Sequence, residues 1–191
     1  MRGNDPGYRP ADADILMATG FRERMTRIGL RLVLLLAIGV TIGCDRVTKH
    51  IAVTTLANAP TRSFLADTFR LDYAENSGAF LGLGADWPSQ VRTTLFGVGN
   101  GLLLVALVAV AWRARWSEPA LVGVALFVAG GASNLVDRIA YGMVIDFMNV
   151  GIGSVRTGIF NVADTAIMLG AGILALKGYR SDRYAPSTGS G

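Results

Sequence analysis

The chain has 191 residues, 51% hydrophobic and 17% charged, with a formal net charge of +4. A soluble domain carries about 25% charged residues. Here the deficit is concentrated in long windows almost free of charge, which argues against an ordinary soluble core and for membrane spans. A single cysteine, Cys44, excludes an intrachain disulfide, and a single histidine, His50, excludes a multi-histidine metal site. The basic residues sit at the ends of the apolar windows, so topology explains them and no nucleic-acid partner is expected.

Residues 1–26 are polar, with Pro6, Pro10, Arg2, Arg9, Arg22 and Arg24, and read as a mostly disordered cytoplasmic tail ending in an interfacial stretch. Residues 27–178 then hold four apolar windows, at about 28–47, 91–112, 119–136 and 160–176. At about 1.5 Å per residue, each is long enough as a helix to cross a hydrocarbon core of about 30 Å, the shorter ones only just. Unpaired strands cannot cross lipid. Residues 179–191 form a second polar tail. The segments 50–90 and 139–159 lie between spans; Phe69-Arg70-Leu71-Asp72-Tyr73 and Met143-Val144-Ile145-Asp146-Phe147 have strand-like patterns. The expected fold is an all-α membrane protein of four transmembrane helices carrying a small extracytoplasmic β platform.

Four spans put both termini on one side. Eleven Lys and Arg fall on the terminal side and seven on the other (Arg46, Lys49, Arg62, Arg70, Arg92, Arg138 and Arg156). The positive-inside rule makes the first side cytoplasmic. Trp87, Trp112 and Trp116 suit the aromatic belt at the interfaces.

An N-x-x-D pattern occurs twice, as Asn134-Leu135-Val136-Asp137 at the end of the third window and Asn161-Val162-Ala163-Asp164 at the start of the fourth. Residues i and i+3 share a helix face. Antiparallel packing of the two spans brings both carboxylates to the outer boundary, and Gly130, Gly131, Ala132 and Ser133 permit a close approach. Two carboxylates a few Å apart hold one proton between them. Such a pair can activate a water for attack on an amide carbonyl and protonate the leaving nitrogen, with Asn134 and Asn161 orienting it. The same residues also fit structural roles: Asn161 and Asp164 as a helix cap, Asp137 and Arg138 as an interfacial ion pair.

Asn76-Ser77-Gly78-Ala79-Phe80, Asn134-Leu135-Val136-Asp137-Arg138, Val144-Ile145-Asp146-Phe147 and Phe160-Asn161-Val162-Ala163-Asp164 stand in the order found in lipoprotein signal peptidases. Asp45-Arg46-Val47-Thr48-Lys49 resembles the D-x-x-T-K that closes that family's first span. The resemblance covers about residues 28–178. It implies an aspartyl endopeptidase of the cytoplasmic (inner) membrane, without metal or cofactor, that cuts diacylglyceryl-modified prolipoproteins before the lipidated cysteine. Membrane lipid surrounds it, and the cyclic peptide globomycin occupies its cleft. By motif, Asp137 and Asp164 are expected to be catalytic and Asn134, Arg138 and Asn161 to support them. Asp45, Lys49, Asn76 and Gly78 would lie in or near the substrate pocket. One departure is Ser133, where the family usually has glycine, with the Gly-Gly pair one position later.

Other readings attach to single residues. Asp45 and Lys49, at i and i+4, suit a simple ion pair as well as substrate contact. Asp146 suits either site support or a solvated strand face. Thr41-Ile42-Gly43-Cys44 is a weak lipobox, as of a lipoprotein precursor, but three further spans do not fit a cleaved signal. A membrane scaffold or proton-relay transporter is the remaining alternative. A relay needs carboxylates along the mid-membrane path, whereas Asp137 and Asp164 both sit at one face.

Overall fold

The computed structural model describes residues 10–78, 86–113 and 116–183. The chain divides into two units, residues 1–36 and 37–191. The first unit is helical from Pro10 onward, as the beginning of helix α1 (Pro10–Leu56). This corrects the expectation of disorder for residues 10–26. Ala11, Ala13, Leu16, Met17, Ala18, Arg22, Glu23 and Met25 are strong helix formers, and Pro10 stands in the first turn, where its missing N–H leaves no gap. The rest of that expected tail, residues 1–9, lies outside the described residues, as do Ala79, Phe80 and residues 184–191.

In the second unit α1 ends at Leu56, nine residues past the expected end of the first span, and leads to β1 (Arg62–Phe64) and β2 (Phe69–Asn76). The second window is one helical run. It is built from α2 (Ser89–Arg92), a π-helical stretch (Thr93–Gly99) and α3 (Asn100–Arg113). Then follow α4 (Glu118–Tyr141), β3 (Val144–Ile152), β4 (Val155–Arg156) and α5 (Val162–Arg183). Pro119 opens α4, and Gly142, at φ 71°, closes it with its N–H donating to the Arg138 carbonyl. A left-handed residue is the ordinary end of a helix, and glycine enters it without strain.

Among the described residues, three stretches are long and apolar enough to cross a membrane, Ile28–Leu56, Gln90–Arg113 and Glu118–Tyr141. They match the first three windows. The fold is mostly helical, with a small antiparallel sheet ordered β1-β2-β3-β4. β2 and β3 sit where the alternating patterns are. One feature had no signal in the pattern: a register shift between Leu71 and Ala74, after which Ala74 pairs Asp146 and Asn76 pairs Val144. The last turns of α1 pack beneath this sheet. Ala52 and Leu56 meet Phe147, with Leu71, Tyr73, Ile145 and Met148 around them.

Helices α4 and α5 run antiparallel along a seam of small residues. A Cβ at Gly123 would lie 3.1 Å from the Gly170 carbonyl oxygen, and one at Gly130 would overlap the Ala163 carbonyl oxygen. Both pairs are one heptad apart on their own helix, so a single ridge-free stripe lets the backbones touch. This contact carries Asn134 up to the first turn of α5. Gly130→Val should therefore lower thermal stability in detergent by about 1–3 kcal/mol. Gly172→Ala, where a Cβ meets nothing within 4 Å, should leave the melt unchanged or raise it slightly.

Candidate active site

The site is assembled from the bottom of α5 upward. The Asn161 side-chain oxygen accepts the Asp164 N–H at 2.9 Å, and the Asp164 Oδ2 accepts the Asn161 N–H at 3.1 Å. This is the reciprocal box that satisfies the open N–H groups of a helix start. A third such group is satisfied from another helix, since the Ala163 N–H donates to Asp45 Oδ1 at 2.9 Å. The cap reading and the site reading of Asn161 and Asp164 thus apply to the same atoms.

Helix α1 brings a second layer. The Lys49 ammonium lies 2.7 Å from Asp45 Oδ2 and donates to Asp137 Oδ2 at 2.6 Å and to Asn134 Oδ1 at 2.8 Å. Asp45, Lys49, Asn134 and Asp137 are all buried. Ser133, the departure from the family's glycine, donates its hydroxyl to Asp45 Oδ2 at 2.7 Å. Arg46, which no motif singled out, donates to Asp137 Oδ1 at 2.5 Å and to the Ser133 carbonyl at 3.2 Å. Its only sequence signal is a cation next to Asp45.

The sheet supplies the third layer. Asp146, on β3, is buried; its Oδ1 accepts the Asn161 amide at 2.6 Å and its Oδ2 the Asn76 amide at 2.8 Å. The Asn76 oxygen accepts the Gly78 N–H at 2.9 Å, and Arg138 donates to the Gly78 carbonyl at 2.7 Å. Arg138 thus pins the Asn76–Gly78 turn over the site. Burial pushes the Asp146 carboxyl up to about 6; the Asn76 and Asn161 amides oppose the rise and the charge of Asp164 adds to it.

Two of the expected partners are separated by their contacts. Asp164 lines an apolar-walled cavity of about 490 Å³ with Asn134, Arg138, Phe96 and Phe127. Asp137 lines a different cavity, of about 460 Å³, with Arg46, Lys49, Tyr73 and Tyr141. Asn134 stands between them: its Nδ2 donates to Asp164 Oδ1 at 2.9 Å while its oxygen accepts from Lys49 and from Asn161. Asp146 and Asp164, by contrast, both accept hydrogen bonds from one residue, Asn161, through its side chain and its main chain. All ten residues picked from the sequence belong to this connected network.

The same fold is found among solved bacterial membrane enzymes. One, determined by the in meso method at 2.3 Å resolution, aligns with a TM-score of 0.70 at 25% identity, over 83% of this chain and 94% of its own. A second, at 1.9 Å, aligns with a TM-score of 0.65 at 24% identity, over 76% of this chain and 91% of its own. Residues 37–180 match the family described as signal peptidase (SPase) II. The chain also resembles proteins named lipoprotein signal peptidase. That of Solibacter usitatus is 32% identical over 74% of this chain and 87% of its own length, and that of Psychromonas ingrahamii 32% over 86% and 93%. That of Sphingopyxis alaskensis is 35% identical over 70% and 77%. The chain belongs to the signal peptidase II family, a family of membrane peptidases.

The raised Asp146 carboxyl gives a pH signature. A carboxyl raised from 3.8 to about 6 contributes stability that is full below its unfolded value and lost as pH rises through its folded one. Asp146→Asn removes that loss. The melting temperature of the variant relative to wild type should therefore move in the variant's favour between about pH 4 and pH 7. The ceiling is about 3 kcal/mol, from about 1.4 kcal/mol per pKa unit. Parallel pH dependences of the two melts would refute the assignment.

Proposed function

We propose that the chain is an aspartyl endopeptidase that removes signal peptides from diacylglyceryl-modified prolipoproteins, cutting before the lipidated cysteine, with Asp146 and Asp164 as its catalytic pair. The family and the names of the relatives support the substrate class. The observation that carries the pair is the distribution of cations. Asp137 is bound by two, Lys49 and Arg46, whereas the hydrogen bonds to Asp146 and Asp164 come from amides alone. The N-x-x-D pattern points to Asp137, but a carboxylate neutralised by two cations is a poor proton shuttle. Its place is structural, as the bridge between α1 and α4.

In this reading Asp146, whose burial favours the protonated form, carries the shared proton and Asp164 is the base. Asp164 takes a proton from water, and the hydroxide oxygen bonds to the scissile carbonyl carbon as Asp146 donates its proton to the carbonyl oxygen. Collapse of the tetrahedral intermediate breaks the C–N bond: the proton on Asp164 passes to the leaving nitrogen, and Asp146 takes back a proton from one of the two hydroxyls as the C=O re-forms, which restores the singly protonated pair. Asn134 and Asn161 hold the two carboxylates in place throughout.

The membrane arrangement that fits has α5 as a fourth span, both termini in the cytoplasm and the site near the outer face of the cytoplasmic membrane. The charge asymmetry between the two sides supports it. The apolar walls of the cavity at Asp164 suit the chain of a lipidated substrate or globomycin, which should compete for it. A proton relay has less support, because α3 carries no acidic residue. A lipobox at Cys44 has little, because α1 continues through it to Leu56.

The test is cleavage of a lipidated precursor, followed by gel shift. Asp146→Asn and Asp164→Asn should each lower the rate by at least about 10²-fold in protein that still inserts. Asp137→Asn should melt earlier yet retain measurable cleavage. An inactive, well-folded Asp137→Asn beside an active Asp146→Asn would return the role to Asp137.

A further inference from the structure

We propose that Arg46 is a positioning residue that completes a charge balance across the site and so fixes one proton on the aspartyl pair; this rests on Asp146 and Asp164 being that pair. The network holds four carboxylates, Asp45, Asp137, Asp146 and Asp164, all buried. It holds three cations, Arg46, Lys49 and Arg138. Lys49 bridges Asp45 and Asp137, and its charge acts on Asp146 and Asp164. The Arg138 charge acts on Asp137, Asp146 and Asp164. Arg46 pairs with Asp137 directly. Four negative charges against three positive leave one uncompensated.

An uncompensated charge removed from water is costly, and a buried group neutralises in preference to bearing it. One proton closes the count. Asp45 and Asp137 are in direct contact with cations, Lys49 with both and Arg46 with Asp137, whereas the hydrogen bonds to Asp146 and Asp164 come from amides, so the proton is assigned to Asp146 and Asp164. The singly protonated state is the one the hydrolysis needs. On this count the working protonation is set by Arg46, two helices away from the cleavage chemistry.

The remaining charged and titratable groups on the packed elements fit the same count. His50, Tyr73 and Tyr141 line the cavity at Asp137, and burial raises the Tyr73 hydroxyl above its ordinary value. Glu75 is turned outward, taking the exposed Tyr73 hydroxyl at 2.9 Å. Asp67 pairs with both Arg70 and Arg156 at the far end of the sheet, and the charge of Asp72 acts on Arg70. The Arg46 side chain is 36% exposed, so it can be replaced without opening a core void.

The test is the pH profile of kcat/KM on a lipidated prolipoprotein, measured for wild type, Arg46→Gln, Arg46→Met and Arg46→Lys. With one cation lost the pair holds its proton more tightly, so the neutral variants should have both limbs of the profile displaced upward by about one pH unit. Arg46→Lys should keep the wild-type profile. An unmoved profile in Arg46→Gln or Arg46→Met, whatever happens to kcat, overturns the proposal, as does a displaced profile in Arg46→Lys. If both neutral variants fail to fold while Arg46→Lys folds, Arg46 belongs to the fold alone and the proposal is again overturned. Failure of the underlying pair reads differently: Asp146→Asn is then active whatever the Arg46 profiles show.

Discussion

The Lys49 ammonium is the point at which the site is tied together. It is buried, and its partners are Asp45 one turn back on its own helix and Asp137 and Asn134 on α4. A buried ion pair gives little net stability, because desolvation offsets the Coulomb attraction. Removing one member leaves a bare charge and costs about 3–5 kcal/mol. The consequence is specificity more than strength. With Lys49 in place, α1 and α4 have a defined register, and the Asn134 oxygen has a cation to face. That leaves the Asn134 amide nitrogen directed at Asp164. Through Asn134, an ammonium on α1 thereby sets how the Asp164 carboxylate is held.

How much of this could be read in the chain depends on how local each signal is. The cap at Asn161 and Asp164 is local, three residues wide, and the pattern displays it. The first three spans follow from apolar length. The glycines of α4 announce a close approach, although their partners Ala163 and Gly170 on α5 are found only when the helices are docked. Roles were harder. Spacing places Asp137 on the right helix face but says nothing about what meets it there. The cations that neutralise it come from 88 and 91 residues earlier in the chain. Asp146 carries the opposite lesson. On a strand it suits site support or a solvated face equally well, and it is buried in the network because β3 pairs with β2 and puts Asn76 beside it. The amino-terminal helix was hidden by two prolines and several arginines, which suggested a tail although the residues between them favour a helix.

Ser133 shows how a departure from a family pattern can be compensated. The glycine pair stands one position later than usual, and the hydroxyl that takes the glycine's place donates to Asp45. Asp45 in turn accepts the Ala163 N–H at the start of α5. The substitution therefore adds a bond to the connection between α1, α4 and α5 without crowding the seam, because the Cβ-free positions at Gly123 and Gly130 remain where the backbones touch.

With the role proposed for Asp164, its part in the helix cap bears on what happens when a substrate arrives. One oxygen of the carboxylate that would face the scissile bond is also the acceptor for the Asn161 N–H. If that carboxylate turns toward a bound peptide, the first turn of α5 gives up a fastening, and the Asn161 amide proton becomes free to trade with solvent. Occupancy of the cleft would then be transmitted along the backbone as a loosening of one helix end, so that the same side chain acts as both tool and latch.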